Sequence, residues 1–148
     1  MIKTLIACDP GDEGAFAIFK QDDDGWYLDQ FLHVQDWKQL ATGEFYPALG
    51  VTEHNHGIQG QAAGTSYTQG YNAGMSQRTL DMVCERVERV IPQRWMHTFG
   101  VPRGKAKSER KHWIRDKAQE VTGMKLPLWA SDAVGIGLAY IKEMKTNA

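Results

Sequence analysis

Two carboxylates stand where an apolar run gives out, and a third stands alone within one. Asp9 closes Thr4-Leu5-Ile6-Ala7-Cys8 and is followed by Pro10-Gly11, Glu53 closes Ala48-Leu49-Gly50-Val51-Thr52, and Asp132 is the one charge between Leu128 and Ile141. A strand that ends on an acid holds that acid in a fixed direction beside a turn. Several such acids brought together suit a hard divalent cation such as Mg²⁺, which prefers oxygen ligands. Simpler accounts stand beside this one. Asp-Pro-Gly is a common turn tripeptide in which the Asp side chain bonds its own backbone. A single acid in the first turn of a helix also complements the helix dipole. Asp132 is read as facing a cleft, because a buried acid without a partner or metal costs several kcal/mol.

A second set of residues suits phosphate. Residues 1–88 carry 5 Lys/Arg against 13 Asp/Glu, whereas residues 89–125 carry 10 against 3, so the two segments do different jobs. Arg103, Lys105, Lys107, Arg110 and Lys111 are compressed into a short span, with Arg94 a little upstream. Ser108 reads as the N-cap of a helix running to Val121 and closed by Gly123, and a helix N-terminus with basic neighbours fits a nucleic-acid backbone. A solvated charged face is the competing account. Residues 54–67 form a Gly-, Gln- and His-rich stretch without charge, which suits base edges or sugars more than phosphate. Its His54, His56 and Tyr67 are candidate DNA contacts, while the two histidines lack the further Cys/His set of a zinc site. The triplet Asp22-Asp23-Asp24 reads as a solvated turn before Gly25.

The elements that must position these groups follow from pattern. Leu5 to Ala7 read as a strand buried on both faces, and Gly11 and Gly14 allow a tight reversal into an antiparallel partner over residues 15–20. Residues 26–34 alternate as a third strand, 36–43 suit a helical turn, and 48–52 a further strand. Leu80, Val83, Val87 and Val90 predict one helix over residues 71–90, whose Gly70 and Gly74 permit close approach of a strand or of a second copy. Residues 94–100 read as the last strand, and the apolar stretch around Asp132 as a closing helix that Gly135 and Gly137 let pack closely.

The 148 residues fit one domain, 1–148, able to bury roughly 70% of the surface its unfolded chain exposes. No run approaches the ~20 apolar residues of a membrane helix, and there is no signal-peptide pattern. Cys8 and Cys84 lack metal-site spacing and read as core residues in a reducing compartment, so a cytoplasmic protein is expected, in a bacterium or a phage-infected host cell.

The ordered set of Asp9-Pro10-Gly11, Glu53 before a variable loop and helix, the basic segment through Lys107-Ser108, and Asp132-Ala133 in a terminal helix resembles the RuvC-type Holliday junction resolvases of the ribonuclease H-like superfamily, as a divergent phage-type member. The resemblance spans nearly the whole chain. It implies an α/β fold with a mixed five-stranded sheet flanked by helices, a homodimer, and Mg²⁺-dependent symmetrical nicking of four-way DNA junctions, with Mn²⁺ a substitute. Asp9, Glu53 and Asp132 match the family's metal ligands. His56 falls where the family often carries an aromatic wedge, and Lys105, Lys107, Arg110 and Lys111 fall in its phosphate-binding region. One departure stands out: three residues before the terminal aspartate the family has a further acid or a His, and this chain has Trp129. Asp12, Glu13, Ser131 or water then completes the shell, or metal binding is impaired. Two rivals follow: a related nuclease acting on flapped DNA or structured RNA, and a junction-binding protein that does not cut.

Overall fold

The computed structural model describes residues 1–54 and 63–148. Strands β1 (Thr4–Asp9), β2 (Ala15–Asp22) and β3 (Gly25–His33) form an antiparallel meander. A 3₁₀ helix, Val34–Thr42, leads to β4 (Ala48–Glu53), which pairs in parallel with β1. Helix α1 (Ala63–Val83) runs directly into β5 (Cys84–Val90), parallel to β4, and the five strands lie in the order β3-β2-β1-β4-β5. Helices α2 (Pro92–Phe99) and α3 (Lys107–Thr122), a single 3₁₀ turn at Leu128–Ala130 and α4 (Ser131–Thr146) complete the chain.

β1 is central, which is why every residue from Leu5 to Asp9 is buried. Its alternation divides two cores. Leu5 and Ala7 join Leu49, Val51, Phe19 and the faces of α2, α3 and α4. Ile6 and Cys8 join Phe16, Ile18 and Ala48 with the 3₁₀ helix and the end of α1. The expected hairpin reversal is present: Gly14 N–H donates to Gly11 O at 2.9 Å, and a Cβ on Gly14 would lie 2.0 Å from Asp9 O.

Two expected elements differ. Residues 71–90 are not one helix, because Cys84–Val90 is the fifth strand. A bulge pairs Ala48 with Cys84 but Leu49 with Arg86, and the extra residue changes the strand's parity. Cys84 and Val87 therefore face one core and Val90 the other, so apolar residues three apart imitate a helical stripe. Residues 94–100, expected as the last strand, are helical. Pro92 starts α2 where its missing N–H is harmless, Trp95 and Phe99 bury one face, and Gly100 at φ 87° closes it with its N–H on Met96 O and His97 O. A smaller revision concerns α3, which begins at Lys107 with Ala106 as an N-cap lacking a side-chain bond, so Ser108 lies inside the helix; Gly123 closes it at φ 71° as expected.

α4 lies across β1, β2 and β4 because its glycines let it approach. A Cβ on Gly137 would sit 2.2 Å from Phe19 Cε2, and Phe19 is fully buried with no room to move. Gly137→Ala should therefore lower stability by about 1–3 kcal/mol despite alanine's better helix propensity. Urea unfolding of the two proteins measures this.

Candidate active site

Parallel pairing of β1 and β4 brings two acids together. Cys8 lies opposite Thr52, so the next residues, Asp9 and Glu53, end adjacent strands at one end of the sheet, about 4.8 Å apart along the hydrogen-bonding direction. Both continue the row of Leu5, Ala7, Leu49 and Val51, and so face α4. Asp132 lies in the first turn of that helix. The three carboxylates predicted from sequence thus occupy one locality, and the electrostatics record it.

Asp9 is 8% exposed, and its acid is pushed up to about 7, first by burial and then by the charges of Asp132 and Glu53. The Gly11 N–H, donating to Asp9 Oδ1 at 3.2 Å, and the nearby Lys111 oppose the rise. The turn and site readings of Asp9 therefore hold together: one oxygen caps the Asp-Pro-Gly turn of an acid that also meets two others. Asp132 is raised as well, by burial, with Lys111, Arg110 and Lys107 acting against it. Lys111 Nζ stands 4.0 Å from Asp132 Oδ2, while among the described residues Asp132 Oδ1 is buried with no hydrogen-bond partner. Glu53 Oε2 accepts a 2.6 Å bond from Trp95 Nε1.

Among the described residues, no three His, Cys, Asp or Glu side chains form a ready-made cation cage. The donor chemistry nevertheless suits a hard cation. An orphaned carboxylate oxygen, and a buried acid whose ionisation two like charges oppose, are features that a divalent ion would relieve.

Trp129, at the position where a further acid was expected, packs edge-on against Phe31 and His33, with ring centroids 5.7 and 5.2 Å away. The candidate substitutes have other partners. Asp12 accepts from Asn72 Nδ2, Glu13 Oε2 lies 3.4 Å from His33 Nε2, and the buried Ser131 Oγ donates to Pro127 O at 3.3 Å.

The basic residues separate into two groups. Arg103, Lys105 and Arg110, with His97, line a groove of about 380 Å³ floored by Met96, Val101 and Pro102. Lys107 and Lys111 stand on the first turns of α3, and with Arg110 they act electrostatically on Asp132, so the basic segment reaches the acids. Arg94 is elsewhere. It makes a two-pronged pair with Glu143 at 2.8 and 3.3 Å, eleven residues and about 16 Å along α4 from Asp132. His54 follows β4 directly, its N–H on Val90 O at 2.8 Å, and Tyr67 is exposed on the first turns of α1. His56 lies outside the described residues.

The chain matches no protein-family model and no curated protein sequence. Its fold does match solved structures. Thermus thermophilus RuvC aligns over 97% of this chain and 96% of its own at a TM-score of 0.66 and 15% identity. The T. thermophilus RuvC in complex with Holliday junction substrate aligns over 98% and 96% at 0.69 and 14%. The chain has the RuvC fold. The expected α/β architecture, a mixed five-stranded sheet flanked by helices, is thereby borne out. Within the RuvC fold of this chain, sequence reasoning missed Trp95, which it placed in the expected last strand without a role. The available signal was its donor, since a buried indole N–H usually finds a partner.

The raised Asp9 acid sets a pH dependence. Between about pH 4 and 7 the folded chain retains a proton that the unfolded chain has released, so stability falls as pH rises through this window. Asp9→Asn removes the repulsion. Without divalent ions it should exceed the wild type by about 2 kcal/mol or more at pH 8, an advantage that disappears below pH 4. Chemical denaturation in EDTA across that range checks it.

Proposed function

We propose that this chain is a divalent-cation-dependent nuclease that cuts four-way DNA junctions. The observation that carries the proposal is the meeting of Asp9, Glu53 and Asp132 at one end of a RuvC-like sheet, with the Asp9 acid raised by burial and then by the charges of its two neighbours. The likeness to a RuvC in complex with Holliday junction substrate supports branched DNA as the ligand.

Asp9, Glu53 and Asp132 would hold one or two Mg²⁺ ions, or Mn²⁺ in their stead, which when bound supply an activated water and positive charge at the leaving oxygen. The chain's own residues do the rest. Lys111, beside Asp132, offers its ammonium to the scissile phosphate as the acids take up their cation. Lys107 and the groove of Arg103, Lys105 and Arg110 hold the flanking backbone. Displacement at phosphorus with loss of the 3′-oxygen leaves 5′-phosphate and 3′-hydroxyl ends. Arg94 is omitted from this set because Glu143 already neutralises it.

A homodimer would set two such sites on one junction and give paired nicks. Tyr67, Tyr71 and Met82 are exposed on α1, and Gly70 and Gly74 of the same helix have open space beside them, which supports α1 as the contact. The two buried free thiols are compatible with a reducing, cytoplasmic setting. A non-cleaving junction binder is the second reading, favoured by Trp129 and its packing on His33.

A synthetic junction labelled on each arm, compared with a linear duplex, a flap and a structured RNA, tests the proposal. Paired symmetrical nicks on the junction, dependent on Mg²⁺ or Mn²⁺ and abolished in Asp9→Asn, are expected. Tight binding without cutting in either ion would establish the binder, and preference for the flap or the RNA would move the substrate class. Junction affinity should fall with salt at a log–log slope of about −4 to −5 per bound protomer, and alanine at Arg103, Lys105 or Arg110 should each reduce that per-protomer slope by about 1. Arg94→Ala should leave it unchanged.

A further inference from the structure

Among the described residues, Glu53 is the one carboxylate of the three that accepts a hydrogen bond from a buried side chain on another element. Trp95 Nε1 donates to its Oε2 at 2.6 Å, and the indole is 2% exposed. The ring cannot swing away, because it is wedged under α4: a Cβ on Gly135 would lie 3.0 Å from Trp95 Cζ3 and 3.3 Å from Ile114 Cγ2. Gly135 is three residues beyond Asp132, hence on the same face of the helix one turn on. One indole therefore touches both the end of β4 that carries Glu53 and the turn of α4 that follows Asp132.

We infer that Trp95 is a positioning residue for Glu53, fixing the orientation of that carboxylate relative to Asp132 for binding a divalent cation. The inference rests on the metal-dependent reading above. Any buried indole N–H needs an acceptor, but here the acceptor is the carboxylate that closes β4, and a short bond to a carboxylate holds its orientation. An outer-shell donor of this kind typically governs 10–100-fold in metal affinity.

The test is Mn²⁺ binding to the DNA-free protein by titration calorimetry, with Trp95→Phe made in both the wild type and Glu53→Gln. Trp95→Phe keeps the aromatic bulk and deletes the donor. It should weaken Mn²⁺ binding about 10–100-fold in the wild-type background and have no further effect beside Glu53→Gln. An equal loss in both backgrounds would mean a structural role, and no loss in the wild-type background would mean none; either overturns the inference while leaving the metal reading intact. Should Trp95→Phe fail to fold, Gly135→Ala displaces the indole from the α4 side, and the same pair of backgrounds decides in the same way. A wild type that takes up no Mn²⁺ would overturn the metal reading and the inference with it.

Discussion

Repulsion between acids at the end of a parallel strand pair is the constraint on which this structure depends. β1 and β4 run side by side in one direction, so whatever residues end them are neighbours. Ending both on an acid sets two negative charges together at the rim of a core, and α4 brings a third. Isolated buried carboxylates would be expelled or protonated. Here the arrangement is sustained by partial compensation: a backbone N–H on Asp9, an indole N–H on Glu53, and Lys111 near Asp132. An arrangement that opposes its own ionisation in this way costs the fold stability.

The rest of the molecule supplies rigidity to that cluster. Gly137 lets α4 close on Phe19, and Gly135 lets it close on Trp95 and Ile114, so the helix that carries Asp132 is seated on both the sheet and α3. Nothing larger than hydrogen fits at Gly137 without movement of a fully buried ring. The fit of helix to sheet therefore decides where the third acid sits.

Much of this was legible in the sequence because it depends on local pattern. Leu5 to Cys8 announced a strand covered on both sides, Pro10-Gly11 its end, and Gly135 and Gly137 a close helix contact. What misled was non-local. The stretch from Cys84 to Val90 has apolar residues three apart because a bulge against β4 exchanges which core each one faces, and no single-chain period carries that information. The α2 segment did carry its own signals, Pro92 at the start and Gly100 at the stop, but its aromatic and β-branched residues favoured a strand reading. Trp95 was lost with it, because once it was assigned to the wrong element its donor had no visible acceptor. The joint position of Asp9, Glu53 and Asp132 came through order and spacing, whereas their mutual electrostatics needed the fold.

The bulged strand β5 also governs how this molecule meets others. It is one margin of the sheet, and along it Glu85, Arg86, Glu88 and Arg89 alternate in sign. A margin that is irregular and densely charged is a poor template for another chain's backbone, which needs a flat, regular row of amides. Sheet extension is thereby discouraged on that side.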